Sequence, residues 1–223
     1  MSRSKITGNP RTGYSAEGFQ MNEDQEMKPL EIDALTEAGN IGAGHAATSL
    51  SKLLREHIMN SSTQSMIIPI EQVPEALGGA EKVIAGIYTT FEGELSGGLL
   101  MLFPEDSTKT LVKLLSGQEL EGYEITDFEA SLLSEVGNIC LCWYLSAISK
   151  MIGIDITPSV PVAAYDMTGA VIDLPLIELG KVADHAMVIK TNFKGEVHEI
   201  DGFFLMLPEP ESQKIMVKKL GVV

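Results

Sequence analysis

Cysteine, aromatic rings and positive charge are all in short supply here: of 223 residues two are Cys, 6% are aromatic, and 16 Lys and Arg stand against 31 Asp and Glu. Each shortage excludes something. Cys140 and Cys142 flank Leu141 in a helical pattern, and side chains two apart on a helix point about 200° away from each other. They cannot pair or make a metal site, and they read as small buried apolar residues in a reducing cytoplasm. The formal charge of 16 − 31 = −15 repels a phosphate backbone, and no basic stretch offsets it, so nucleic acid is not an expected partner. No basic-then-apolar leader opens the chain, and no apolar run in the sequence approaches the roughly 20 residues of a bilayer span. A cytoplasmic protein without a membrane partner is expected. His45, His57, His185 and His198 lie far apart without ligand spacing, and Ser96-Gly97-Gly98 enters a strand rather than a helix, so neither zinc nor a phosphate-cradling loop is indicated.

What is present is a core: 44% of the residues are apolar. Residues 1–27 are polar and without apolar period, so they are expected to be a disordered tail, with Met21 an alternative start. Residues 28–223 read as one domain. A helix is expected from Pro29 to about His57, because Ile32, Leu35, Gly39, Gly42, Ala46, Leu50 and Leu53 fall on one stripe. Asp33, Glu37, Asn40, Gly44, Thr48, Ser51 and Arg55 fall on the opposite one. Extended segments follow at Ser65 to Val73, Lys82 to Phe91 and Leu95 to Phe103, then a short helix opened by Pro104-Glu105-Asp106 and ended by Gly117.

The second half repeats this order. Gly202-Phe203-Phe204-Leu205-Met206-Leu207-Pro208-Glu209 answers Gly98-Leu99-Leu100-Met101-Leu102-Phe103-Pro104-Glu105 at an offset of 202 − 98 = 104. Glu135, Gly137, Asn138 and Ile139 answer Glu37, Gly39, Asn40 and Ile41 at 135 − 37 = 98. Strands are expected at Thr157 to Asp166, His185 to Lys194 and Val197 to Leu207. The fold class is therefore α+β: a unit of helix, three strands and short helix, duplicated over about 28–122 and 123–223. About six mainly antiparallel strands share one sheet around a pseudo-twofold axis, with two long helices layered on it.

Both long helices carry a polar triplet, Asp33, Glu37, Asn40 and Ser131, Glu135, Asn138. Steps of four and three residues keep each triplet within about 60° on the outer face. Asn is a mediocre helix former with no reason to sit mid-helix unless its amide is used, and Glu-x-Gly-Asn-Ile occurs twice in repeat register. Gly39 and Gly137 fall on the packing side, where the missing side chain allows a close approach. Ser131 has no His or Lys placed to activate it as a nucleophile.

Asp33-x-x-x-Glu37-x-x-Asn40, and Ser131-x-x-x-Glu135-x-x-Asn138 followed 161 − 138 = 23 residues later by Pro161, resemble the paired signature of the CheC, CheX and FliY family of chemotaxis phosphatases. The run from Gly39 to Leu50 is most like the CheC branch, and an end at Val223 without the further flagellar switch domain of FliY-type proteins adds to that expectation. The first motif departs from the pattern, since Thr63 stands 23 residues after Asn40 and the nearest proline is Pro69.

The resemblance implies a hydrolase acting on the aspartyl phosphate of the response regulator CheY. Asn40 and Asn138 would orient the attacking water, and Glu37 and Glu135 would pair with the regulator's lysine. Asp33, Ser131, Pro161, Gly39 and Gly137 would support the motifs. No cofactor of the chain's own is implied, because Mg²⁺ arrives with the regulator. The resemblance also implies binding of the receptor deamidase CheD, so an adaptor of weak phosphatase activity stands as the alternative. A purely structural role for Glu and Asn is the third reading.

Overall fold

The computed structural model describes residues 29–120, 122, 124–178 and 185–220; the expected disorder of residues 1–27 lies outside them. Helix α1 (Pro29–Leu54) starts on a proline whose missing N–H costs nothing in a first turn, and β1 (Met59–Pro69) follows. A 3-10 turn (Ile70–Gln72), α2 (Val73–Ala76), β2 (Val83–Gly93), β3 (Gly97–Pro104) and α3 (Glu105–Ser116) complete the first half. The second half runs α4 (Asp127–Ile152), β4 (Ile156–Pro158), β5 (Val162–Met167), α5 (Thr168–Glu178), β6 (His185–Lys194), β7 (Glu199–Pro208) and α6 (Pro210–Leu220).

The expected α+β class holds: one antiparallel sheet has the order β1-β6-β7-β3-β2-β4, with β5 also on β2. Among the described residues it has seven strands against the expected about six, because one expected strand is divided in two. The segment from Thr157 to Asp166 breaks at Ser159-Val160-Pro161, where Ser159 N donates to Thr90 O (2.9 Å) and Ser159 Oγ accepts from Thr90 Oγ1 (3.0 Å), drawing the chain off the ladder. The strand expected at Ser65 to Val73 lies earlier, because Asn60 to Gln64 form a polar edge that alternation of apolar residues does not reveal. Helix α1 also stops sooner than expected. Arg55 takes a left-handed conformation (φ 54°), which ends the helix and turns Ile58 inward.

Helix α5 was not part of the expected unit. It is mainly apolar, with an exposed Asp173 and with Pro175 inside it, and Val171 and Ile172 join Ile84, Tyr88, Leu100 and Leu102 in a smaller core on the far face of the sheet. The larger core lies on the near face. There α1, α3, α4 and α6 bury Leu35, Leu50, Leu111, Leu133, Tyr144 and Met216 against Ile87, Met101, Ile189 and Phe204. Helix α4 is long and apolar enough by length and composition alone to cross a bilayer, although Glu135 and Lys150 interrupt its apolar run. Half of its apolar window is buried inside the molecule, which accounts for that character as a core helix.

The duplication is written into the register. Gly98 pairs with Leu207 and Leu102 with Phe203, both summing to 305 (98 + 207, 102 + 203), so exchanging the halves at an offset of 104 returns the same ladder. The pseudo-twofold axis therefore stands perpendicular to the sheet between β3 and β7. It maps α1 onto α4 on the same face with reversed direction. It also exchanges strands between halves: β1 pairs with β6, and β5 with β2.

Candidate functional site

Where α1 and α4 cross, the axis is marked by a residue and its own repeat-mate. His45 stacks on Trp143 with centroids 4.7 Å apart, and 45 + 98 = 143. Trp143 Nε1 donates to Ser49 Oγ at 2.9 Å, tying the helices across the crossing. The approach is close because Gly42 carries no side chain: a Cβ there would stand 2.9 Å from Tyr144 Cα. Gly39 and Gly137 serve a different contact. They face the sheet, Gly39 over Ile189 and Thr63, and Gly137 hard against Ile87. These three glycines press the helices inward on one side and thereby fix what faces outward on the other.

The outward face holds both triplets. Asp33, Glu37 and Asn40 are exposed on α1, and Ser131 and Glu135 are exposed on α4 with Asn138 half-buried. Each Asn lies five residues before the crossing (45 − 40 and 143 − 138), about 7 Å along its helix at 1.5 Å per residue. Since the helices run oppositely, the two sites lie on one face, displaced in opposite directions from the axis. The structure thus gathers each triplet on its own helix and keeps the two triplets apart. Pro161 sits half-buried in the break between β4 and β5.

The second site has features that the sequence reading missed. Its helix starts on a capping box: Thr126 Oγ1 accepts from Glu129 N (3.3 Å) while Glu129 Oε2 accepts from Thr126 N (2.7 Å). Cys142 Sγ donates to the Asn138 side-chain oxygen at 3.4 Å, one turn away. Position 142 − 98 = 44 in the first helix is Gly44, so Asn40 has no thiol counterpart. The repeat offset alone exposes that difference. Burial raises the Cys142 thiol above its ordinary value and pushes Cys140 up to about 12, so both stay protonated and are poor nucleophiles at neutral pH. Among the described residues no three His, Cys, Asp or Glu side chains converge as a metal site. The arrangement offers paired carboxylates and amides on rigid helices, suited to docking and orienting rather than to covalent attack.

The model of the CheC-like family matches residues 30–59 and 128–165, the two segments that hold both triplets and Pro161. The CheY-P phosphatase CheC of Bacillus subtilis is 32% identical over 200 residues, spanning 87% of this chain and 96% of that protein. This chain belongs to the CheC-like family. The flagellar motor switch phosphatase FliY of the same organism is 25% identical over 198 residues, and the CheC-like chain spans 48% of its length. Among solved structures, Thermotoga maritima FliY superposes with a TM-score of 0.67 at 20% identity, covering 88% of this chain and 98% of that one. The FliM middle domain of Helicobacter pylori does so with a TM-score of 0.60 at 12% identity, covering 86% and 99%. Likeness at those identities shows the fold alone.

Proposed function

We propose that this CheC-like protein hydrolyses the aspartyl phosphate of a phosphorylated CheY, with one docking stripe on α1 and another on α4. The observation that carries the reading is the duplicated outward stripe, in which Glu37 and Asn40 and their repeat-mates Glu135 and Asn138 stay solvent-accessible while the glycines beside them are buried. Packing alone gives no reason for a mid-helix Asn at both repeat positions, fully exposed at Asn40 and half-exposed at Asn138. The carboxamides of Asn40 and Asn138 hold a water in line with phosphorus, since positioning is most of what phosphoryl transfer asks of a protein. Glu37 and Glu135 engage the regulator's lysine. The divalent cation comes with the regulator, and the nucleophile is water.

Loss of an oriented amide removes on the order of 3 kcal/mol of transition-state stabilisation, about a hundredfold in rate. Asn40→Ala with Asn138→Ala is therefore expected to bring phosphate release from acyl-phosphate-charged CheY down to its unassisted rate, with unchanged circular dichroism. Each single variant retains the activity of the other site. A double variant as fast as the unmodified protein sinks the proposal. Flat hydrolysis by the unmodified protein alongside firm CheD binding would replace it with the adaptor reading.

A further inference from the structure

Two large apolar side chains on the long helices are exposed among the described residues, Ile41 at 43% and Phe128 at 60%. Ile41 follows Asn40 directly. Phe128 lies in the first turn of α4, seven residues before Glu135, which at 100° per residue places the two within about 20° on the helix. Ser131 and Asn138 fall within about 80° of it. Phe128 is therefore the upstream end of the stripe that holds the second triplet.

Three observations bear on what the ring does. It belongs to neither hydrophobic core, so folding does not use it. The Thr126–Glu129 capping box fixes the turn that carries it, so it is presented on an ordered backbone rather than a fraying end. Its surroundings are acidic, with Glu124, Asp127 and Glu135 all exposed. An uncovered aromatic ring on a helix face that also exposes carboxylates fits a surface that sets an apolar recess beside a basic group. Aromatic anchors of this kind carry most of the energy of small interfaces.

The geometry points to Phe128 as the docking anchor of the second site, inserting into the face of the phosphorylated regulator that also presents its lysine to Glu135. The inference rests on the phosphatase reading and deepens it by naming a residue that governs affinity and not the chemical step. It also makes the two sites unequal, since position 128 − 98 = 30 in the first helix is the aliphatic Leu30.

The test isolates each site in the intact chain. In an Asn40→Ala background, where only the second site turns over, Phe128→Ala is expected to raise KM for phosphorylated CheY about tenfold or more with kcat nearly unchanged. Phe128→Leu recovers part of the loss. In an Asn138→Ala background, where only the first site works, Phe128→Ala leaves both constants alone. Binding of beryllofluoride-activated CheY, read without turnover, splits in the first background into an unchanged phase from the first site, whose Glu37 still docks, and a phase weakened by the same factor as KM rises. Unchanged KM and binding in the Asn40→Ala background overturn the anchor while leaving the phosphatase reading in place. So does an equal loss in both backgrounds, which marks a general structural effect. Absence of both hydrolysis and regulator binding by the parent protein overturns the two together.

Discussion

At the scale of single residues, three glycines on one side of two helices decide what the other side presents. Their tolerances differ. A Cβ at Gly137 would stand 2.4 Å from Ile87 Cγ2, and one at Gly42 would meet Tyr144 backbone, whereas one at Gly39 would find its nearest neighbours at 3.4 Å. Gly137→Ala and Gly42→Ala are each expected to destabilise by about 1–3 kcal/mol through overpacking. Gly39→Ala should be neutral or stabilise by up to about 1 kcal/mol, because Ala is the better helix former. Urea unfolding of the three variants checks the ranking, and an equal cost at Gly39 and Gly137 would contradict it. The triplets were legible in the sequence because a helix repeats every 3.6 residues and exposed polar residues obey that period. Phe128 was not, since an apolar residue at a helix start is indistinguishable in sequence from one that packs.

At the scale of elements, α1 is held at its far end by a carboxylate just beyond it. Glu56 accepts from Val197 N at 3.2 Å and lies 3.0 Å from His198 Nδ1, joining the end of α1 to the β6–β7 hairpin. The His198 hydrogen bond, then that from Val197, lowers the Glu56 carboxyl below its usual 4.5. A carboxylate depressed in the folded state adds stability above its unfolded pKa, and loses it as pH falls through the lower folded value. Glu56→Gln should therefore melt below the unmodified protein at pH 7, with the gap closing below about pH 4.5. A gap that widens toward acid would contradict the clasp. Neither this contact nor α5 was readable beforehand. Glu56 acts on a residue 141 positions away, and α5, short and mainly apolar with Pro175 inside it, shows no amphipathic period.

At the scale of the whole molecule, the internal repeat was legible as two constant offsets, and the shared sheet followed from them. Offsets tell which segments are copies, not which copy each strand pairs with, so the exchange of β1 and β5 between halves was hidden. That exchange carries a prediction. Residues 28–122 alone leave β1 without β6 and β2 without β5, so the isolated half should show no cooperative thermal transition by circular dichroism. A half that melts cooperatively would mean that the two units are separable.

The same crossing of strands sets an order of events during synthesis. Met59 meets Lys194 and Pro69 meets His185, contacts 194 − 59 = 135 and 185 − 69 = 116 residues apart, so β1 leaves the ribosome long before its neighbour exists. A waiting strand is an aggregation hazard when it is apolar. This one opens Met-Asn-Ser-Ser-Thr-Gln-Ser, a sequence that water can satisfy until the last quarter of the chain arrives.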